Sequence, residues 1–219
     1  MVTFQRDSSL DGLNIPFGVV EVTYPEPECW HTEEFFALVE ERLTALKAGA
    51  PGYDRRAVFG ENPYFRFFKK FKKTFPVLLQ YESVLLKDRP FPRESPITGV
   101  PFLTELETHS LTGTHDVEQV QGTVTLYAED AKVPFPGLRG EEVHTYPGDF
   151  CARDDGGIIF SMIAGADHRT CAREDSRHVF YPVFGVPGQR GEDLAAVQEL
   201  LCRYARVLSP EAEIKTALL

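Results

Sequence analysis

The residues that could do chemistry are concentrated in the stretch HSLTGTHDVEQVQG, which begins at His109. His115 is followed by an aspartate, and these are the residue types of a general base and of the carboxylate that orients it. A Ser-His-Asp arrangement also needs a nucleophile on a strained turn, and neither Ser110 nor Ser161 lies in a GxSxG motif. Two interpretations remain: a catalytic loop, or structural histidines at the bend between a helix and a strand.

A second polar cluster is the stretch GADHRTC, residues 165–171, which contains an aspartate, a histidine, an arginine and a cysteine. A metal site would need these side chains to converge, but neighbouring residues in a strand or turn point in different directions. We therefore expect no metal here. The stretch is either a turn in which Asp167 or Thr170 bonds to the backbone, or a pocket rim that presents Arg169.

Charge is distributed unevenly along the chain. The stretch FRFFKKFKK, residues 65–73, carries five basic residues and no acid, whereas the segment from Glu21 to Glu41 carries seven Glu and no Lys or Arg. The basic stretch is either a cationic, aromatic helix that contacts phosphates or an amphipathic helix with Phe inward and Lys outward. The acidic segment is either a solvated helix face or a surface for a protein partner.

Composition excludes several classes of function. The chain has 219 residues and a formal net charge of -10, which argues against binding of nucleic acid or an anionic membrane over the whole surface. It contains no Walker A, GxGxxG or HExxH motif and no apolar run long enough to span a membrane, so we expect no cofactor and no membrane partner. The first residues lack the apolar core of a secretory signal, which predicts a cytoplasmic protein.

The elements that must position these residues change character along the chain. Apolar periodicity predicts a strand over 15–24 and helices over 33–48, 63–73, 97–110 and 191–208, with a further helix from Pro76. Pro101 either lies in the first turn of its helix or marks a late start of that helix. After residue 116, alternating patterns and frequent Gly and Pro predict short strands joined by tight turns, and EAEIKTAL predicts a closing strand. Helices before strands indicate the α+β class.

An ordered set of motifs lies between residues 76 and 184. It comprises a helix after the Pro-rich crossing KDRPFPRESP, the entry HDVEQVQG into a strand, the hairpin GEEVHTYPGD, the turn DDGGII and the turn DHRT. In this order and spacing, the motifs resemble the B3/B4 domain of the phenylalanyl-tRNA synthetase β subunit, and most closely the free-standing proteins that carry only this domain. The resemblance implies a single B3/B4-like α+β domain over 1–219, with 1–60 as a strand-helix extension.

The resemblance also implies a function. In the synthetase this domain hydrolyses tRNA mischarged with tyrosine, without a covalent nucleophile, and a pocket carboxylate reads the tyrosine hydroxyl. That carboxylate corresponds to Glu142, or to Glu141 if the alignment slips by one residue. The family's histidine near the ester corresponds to Gly113, and His115 replaces an aromatic residue. Either His115 acts from the shifted position, or this protein lacks that group.

Further site residues follow from the same resemblance. Residues expected to bind substrate are Gly113, Thr114, Phe160, Met162, Gly165 and Arg169, of which Phe160 and Met162 would line an apolar pocket for an aromatic ring. Residues expected to contact the acceptor end of tRNA are Arg66, Lys69, Lys70 and Lys73. The alternative is a non-catalytic module that binds a small aromatic or amino-acid-like ligand in the same cleft.

Overall fold

The computed structural model describes residues 1–50 and 52–219. The α-helices are α1 (Thr32–Ala48), α2 (Arg55–Phe59), α3 (Pro63–Lys70), α4 (Pro76–Tyr81), α5 (Pro96–Thr108) and α6 (Gly191–Leu208). The strands are β1 (Phe4–Arg6), β2 (Phe17–Thr23), β3 (His115–Asp116), β4 (Val124–Ala128), β5 (Pro134–Pro136), β6 (Glu142–His144), β7 (Phe150–Asp154), β8 (Gly157–Ser161), β9 (Gly165–Ala166), β10 (His178–Phe184) and β11 (Glu213–Leu218). This content confirms the predicted α+β class.

One sheet joins the two ends of the chain. Its order is β11-β2-β10-β3, and all of its strand pairs are antiparallel. β2, which the sequence places in an N-terminal extension, lies between β10 and β11 and is almost entirely buried. α6 packs on β2, and Gln198 of α6 donates to the Val19 and Ala217 carbonyls of two adjacent strands. The first and last segments of the chain therefore share one core.

The remaining strands form a second sheet and a separate hairpin. The second sheet has the order β1-β4-β7-β8-β9; only β1 and β4 run parallel, and the other neighbours are antiparallel. β5 and β6 pair with each other as a two-stranded hairpin. Phe17 of the first sheet contacts Phe150 and Phe160 of the second, with ring centroids 5.7 Å and 5.8 Å apart. Aromatic side chains thus join the two sheets into one hydrophobic core.

The bounds of α3 and α5 differ from those that periodicity predicts, and α5 spans Pro96–Thr108 rather than 97–110. α3 ends at Lys70 rather than residue 73, because Lys72 adopts a left-handed conformation with a φ of 56° and the Lys73 amide bonds back to the Phe68 carbonyl at 3.1 Å. Pro101 lies inside α5, not in its first turn. The missing amide of Pro101 leaves the Ile97 carbonyl free, and the Tyr181 hydroxyl donates to that carbonyl at 2.9 Å.

Two features are absent from the described ranges. Within residues 1–50 and 52–219, no helix combines the length and the apolar character needed to cross a membrane. The same residues contain no group of three or more His, Cys, Asp or Glu side chains arranged to hold a metal ion.

Candidate functional site

A small apolar cavity lies between the segment that leads into β3 and the turn that joins β8 to β9. Its volume is about 160 Å³, and the start of α4 and the end of β10 complete its wall. The lining residues are Pro76, Leu111, Thr112, Gly113, His115, Phe160, Ser161, Met162, Ile163, Ala164, Gly165, Ala166 and Phe184. The lining therefore contains no side chain with a permanent charge, and only a histidine, a serine and a threonine provide polar side-chain atoms.

The first wall is positioned by the end of α5. His109 adopts a left-handed conformation with a φ of 54°, which turns the chain out of the helix, and Asn62 donates to the His109 carbonyl at 3.0 Å. The chain then runs antiparallel to β10: Thr112 bridges to Val183, and the Phe184 amide donates to the Leu111 carbonyl at 3.1 Å. Pairing with a central strand fixes this wall.

A buried carboxyl group supports the same wall from behind. Oε1 of Glu105 accepts hydrogen bonds from the amide and the hydroxyl of Thr112, at 2.8 Å and 3.0 Å. Burial raises the pKa of Glu105 to about 7, although the hydrogen bonds from Thr112 and the Gln80 amide oppose that rise. Within the described ranges, Gln80 Oε1 is buried without a hydrogen-bond partner. Thr112 therefore links the cavity to a carboxyl group that titrates near neutral pH.

His115 is held between aromatic rings at the side of the cavity. Its ring stacks on Phe180 with centroids 4.8 Å apart and an interplanar angle of 11°, and Phe160 lies 5.8 Å away. Nδ1 lies 2.8 Å from the Thr170 hydroxyl. The side chain is only 1% exposed, and burial lowers its pKa to about 3. His115 is therefore neutral at physiological pH, which suits it to hydrogen bonding and makes it a weak general base.

The opposite wall is organised by the pair Asp149 and Ser161. The Ser161 hydroxyl donates to Asp149 Oδ2 and accepts from the Ala164 amide at 2.8 Å, while the Ile163 amide donates to Asp149 Oδ1 at 3.3 Å. Burial raises the pKa of Asp149 to about 6. Because its proton is already donated to a carboxylate, Ser161 lacks the histidine base that activates a nucleophilic serine.

The structure brings together five of the residues that the sequence predicts for the site. Gly113, His115, Phe160, Met162 and Gly165 all line the cavity, although the first two are separated from the others by more than forty positions in the chain. Thr114 lies between two lining residues, is half-buried, and is not itself part of the lining.

Glu142 lies elsewhere. Its side chain is 72% exposed on β6, 3.5 Å from His144 Nε2, and it lines a second cavity of about 280 Å³ together with Gly140 and residues 134–136. Glu141, the alternative, is also exposed and accepts from the Arg139 amide at 2.9 Å. Neither carboxylate lines the cavity that contains His115, so the two residues predicted to be catalytic occupy separate depressions.

Arg169 also lies outside the first cavity. Its guanidinium forms two hydrogen bonds with Asp154, at 2.6 Å and 3.0 Å, and a third with the Gln119 carbonyl at 2.6 Å. It lines a third cavity of about 490 Å³ between the β5 strand and the start of β8. The neighbouring turn has the hydrogen bonds of one of the two predicted alternatives, in which Asp167 bonds to the backbone. Asp167 accepts from the Arg169 and Thr170 amides at 3.1 Å each. These contacts assign Arg169 a role in the turn itself.

The basic residues lie on α3 and just beyond it. Arg66 pairs with Glu61, whereas Lys69, Lys70 and Lys73 have no acidic partner within 4.0 Å among the residues that the structure describes. The Lys73 ammonium lies over the Tyr146 ring, 5.1 Å from its centroid. Lys73 is three residues before Pro76, which lines the cavity, so exposed positive charge lies close in sequence to the cavity wall.

Sequence reasoning missed the two buried carboxyl groups behind the cavity. Glu105 lies in an apolar helix, TELET, and its type and spacing are those of an exposed glutamate. Asp149 belongs to the GD pair of the hairpin motif, but the motif carries no sign of burial. The available signal was the apolar surroundings of each residue: leucines on both sides of Glu105, and the run from Phe150 to Ala152 after Asp149.

Comparisons with known proteins gave similarities of fold alone. Neither the models of protein families nor the curated proteins matched the sequence. The structure is similar to the crystal structure of an N-terminal fragment of the phenylalanyl-tRNA synthetase β-subunit from Pyrococcus horikoshii, with a TM-score of 0.49 and 11% sequence identity. The match covers 97% of this chain and 50% of that fragment, so this chain spans about half the fragment's length. The likeness is a distant structural resemblance.

Proposed function

We propose that this protein binds the aromatic side chain of an aminoacyl group in the cavity between residues 111–115 and 160–166, and hydrolyses the ester that links this group to tRNA. The observation that carries the proposal is the cavity itself, an apolar space of ring size with a neutral histidine in its wall. The resemblance of the motifs between residues 76 and 184 to an editing domain supports the same function. We further propose that residues 1–219 act as one B3/B4-like domain.

The size and chemistry of the cavity suit a ring. A cavity of about 150 Å³ lined by aliphatic and aromatic side chains holds one benzene molecule, and the cavity here measures about 160 Å³. Phe160, Met162 and Phe184 supply apolar surface. An aliphatic chain of similar volume would fit as well, so several aminoacyl groups must be compared experimentally.

The proposed reaction needs no protein nucleophile. Water attacks the carbonyl carbon of the ester, the bond from that carbon to the ribose oxygen breaks, and the free amino acid and the tRNA hydroxyl are released. The Ser161 hydroxyl is fixed by Asp149 and Ala164, and the weak basicity of His115 favours a positioning role over proton abstraction. Catalysis would then come from holding the ester and a water molecule against the polar backbone near Gly113 and Thr114.

The lysines beyond the cavity suit a polyanionic carrier of the aminoacyl group. Lys69, Lys70 and Lys73 are exposed and lack acidic partners in the described ranges, so they can contact phosphates. A net charge of -10 limits the contact to this patch. We therefore propose that only the acceptor end of tRNA is bound.

A deacylation assay on several mischarged tRNAs tests the proposal. We expect wild-type protein to hydrolyse esters of aromatic amino acids fastest, and His115→Ala to reduce kcat/KM by about tenfold or more, because the variant loses one hydrogen bond to the bound aminoacyl group. Glu142→Ala is the matched comparison for the second cavity, and we expect a smaller loss. If wild type neither deacylates any of these tRNAs nor binds tRNA in a salt-dependent manner, the proposal is wrong.

A second candidate is a non-catalytic module that binds a small aromatic or amino-acid-like ligand. Two observations favour it: Glu142 lies outside the cavity, and the net charge is -10. A module that only binds a small ligand needs neither a catalytic carboxylate in the cavity nor a surface that attracts nucleic acid. Thermal unfolding with a panel of free amino acids separates the two candidates, since a ligand that binds only the folded state raises Tm. Stabilisation by an amino acid, without any effect of tRNA, would favour this second function.

A further inference from the structure

A chain of three side chains ends at the cavity wall. Thr170 donates its hydroxyl proton to Oδ1 of Asp167, a carboxylate oxygen that also accepts from the Thr170 amide at 3.1 Å. Nδ1 of His115 lies 2.8 Å from the same threonine oxygen. All three residues are at most 4% exposed, so water does not compete with these hydrogen bonds. The backbone adds rigidity, because the Asp116 amide donates to the Thr170 carbonyl at 2.7 Å.

Proton accounting assigns the tautomer of His115. A threonine hydroxyl has one proton, and an ionised carboxylate can only accept, so the Thr170 proton is used in the bond to Asp167. The remaining lone pairs of the Thr170 oxygen can only accept, and Nδ1 of His115 must therefore be the donor. A neutral imidazole has a single N–H group, so Nε2 carries a lone pair.

Nε2 is the one polar atom of the ring left for a ligand. Among residues 1–50 and 52–219 it has no hydrogen-bond partner, yet it does not belong to the fully enclosed polar atoms without a partner. Phe180 stacks on the ring and Phe160 lies beside it, and His115 is part of the cavity lining. Nε2 is therefore not fully enclosed, and the cavity that His115 lines is the space beside the ring that a ligand could enter.

We propose that Asp167 and Thr170 are positioning residues that fix His115 as an Nδ1–H tautomer, so that Nε2 accepts a hydrogen bond from the ligand in the cavity. The cavity then selects a ligand that combines an apolar part of ring size with an N–H or O–H donor. This inference rests on the proposed use of the cavity but not on the proposed hydrolysis. Aromatic molecules that can only accept a hydrogen bond are disfavoured, because they would leave Nε2 unpaired in a desolvated site.

The tautomer is measured directly by long-range ¹H–¹⁵N correlation spectra of the histidine side chains in the full-length protein. We expect wild type to show His115 protonated at Nδ1 and unprotonated at Nε2 from pH 6 to pH 8. Thr170→Ser keeps the hydroxyl and should leave this pattern unchanged. Thr170→Val removes the acceptor and should shift the proton towards Nε2. An Nε2–H tautomer in the wild type would overturn the inference, with or without a folded valine variant.

Affinity for two probe molecules tests the selection of a donor. Phenol and fluorobenzene have similar size, but only phenol can donate a hydrogen bond. By NMR titration we expect wild type and Thr170→Ser to bind phenol about tenfold more tightly than fluorobenzene, which corresponds to one hydrogen bond. In Thr170→Val the ratio should fall to about one. Equal affinity for the two probes in the wild type, or an unchanged ratio in the valine variant, would overturn the inference.

The outcomes separate this inference from the proposed function. An Nδ1–H tautomer and a preference for phenol in a protein that hydrolyses no aminoacyl-tRNA would support the donor-reading cavity and contradict the proposed reaction. Hydrolysis by a protein that does not distinguish phenol from fluorobenzene would support the reaction and contradict the positioning roles of Asp167 and Thr170.

Discussion

At the scale of residues, the cavity is surrounded by titratable groups whose protonation the fold controls. Burial lowers the pKa of His115 to about 3 and raises the pKa values of Glu105 and Asp149 to about 7 and about 6. All three groups are therefore biased towards their neutral forms. Because a base and two acids shift in opposite directions, their contributions to the pH dependence of stability oppose each other.

Replacing Glu105 with Gln should change how stability depends on pH. Glu105 has an ordinary pKa of 4.5 and a folded-state pKa of about 7, so the folded state holds a proton that the unfolded state releases in this interval. The stability contributed by Glu105 is present below pH 4.5 and is lost as pH rises towards 7, by about 3 kcal/mol. In urea unfolding, the free energy of unfolding of Glu105→Gln should rise by that amount relative to wild type as the pH increases from 4.5 to 7.

The side-chain amide of the variant has a candidate acceptor in Gln80 Oε1. This atom has no partner in the described ranges, and it belongs to a side chain that already bonds to Glu105. Glu94→Gln is the control, because it makes the same substitution at an exposed carboxyl group. A stability difference between Glu105→Gln and wild type that is constant over this pH range would contradict the burial of an ionisable carboxyl group.

Replacing His115 with Phe tests the opposite sign. The folded state keeps His115 neutral, whereas the unfolded state binds a proton below the ordinary pKa of 6.5. The stability from His115 is therefore present above pH 6.5 and is lost as pH falls, by about 1.4 kcal/mol per pH unit. Phe has no proton to bind, so the stability of wild type relative to His115→Phe should fall by about 2 kcal/mol from pH 6.5 to pH 5.

Chemical unfolding at several pH values measures this difference. The control is His168→Phe, which makes the same substitution at an exposed histidine. If wild type and His115→Phe lose stability in parallel below pH 6.5, His115 is protonated in the folded state, and the prediction that its ring is neutral there is wrong.

At the scale of elements, the bend before β4 depends on a glycine. Gly122 has a φ of 73°, and a Cβ atom at this position would lie 2.3 Å from Asp155 Oδ2. The Asp155 amide bonds to the Gln121 carbonyl at 2.9 Å, which holds this bend against the turn between β7 and β8. A side chain at residue 122 would therefore strain the backbone and displace the aspartate.

Gly122→Ala should destabilise the protein by more than backbone strain alone. The left-handed conformation costs about 1–2 kcal/mol for a residue with a Cβ atom, and the contact with Asp155 adds to it. Gly12→Ala is the matched control, because its φ is 76° and nothing lies within 4 Å of the added atom. In urea unfolding, the free energy of unfolding should be lower for Gly122→Ala than for Gly12→Ala. Adding Asp155→Ala to Gly122→Ala should restore the additional loss of stability. Equal losses would contradict the close approach of Asp155.

At the scale of the whole molecule, charge is segregated. The net charge is -10, and the glutamates between residues 26 and 41 are exposed, whereas Lys69, Lys70 and Lys73 form a local basic patch. A polyanion would meet repulsion over most of the surface and attraction at the patch. If the proposed function is right, binding of tRNA should therefore be weak, confined to the patch and strongly dependent on salt.

Replacing Lys69, Lys70 and Lys73 with Ala tests this picture. If each lysine neutralises a phosphate, the slope of log K against log salt concentration should decrease in magnitude by about 2 to 3. The matched control replaces the exposed Lys87, Lys132 and Lys215 with Ala, which changes the net charge equally. Fluorescence anisotropy with tRNA at several salt concentrations gives both slopes. Equal effects of the two triple variants would show that net charge, and not the patch, controls binding.

Local properties of the molecule were readable from the sequence alone. The periodicity of GEDLAAVQELLCRYARVL predicted α6 with its observed bounds. A strong amphipathic pattern between a capping region and the pair Ser209-Pro210 restricts where the helix can begin and end. The α+β class followed from the order of helical and alternating patterns. Phe160 and Met162 were expected at an apolar pocket because of the resemblance to the B3/B4 domain, and their apolar side chains agree with that expectation.

Only the tertiary structure decided which of these residues meet. Residues 111–115 reach residues 160–166 because both segments adjoin β10 and Phe184, and pairing over such separations depends on the whole core. The tertiary structure also places Glu142 on an exposed hairpin and buries Glu105 and Asp149 behind the cavity. Spacing along a chain fixes the face of a helix or strand on which a residue lies. It does not fix which other element covers that face, and burial, protonation and the identity of the cavity all follow from that covering.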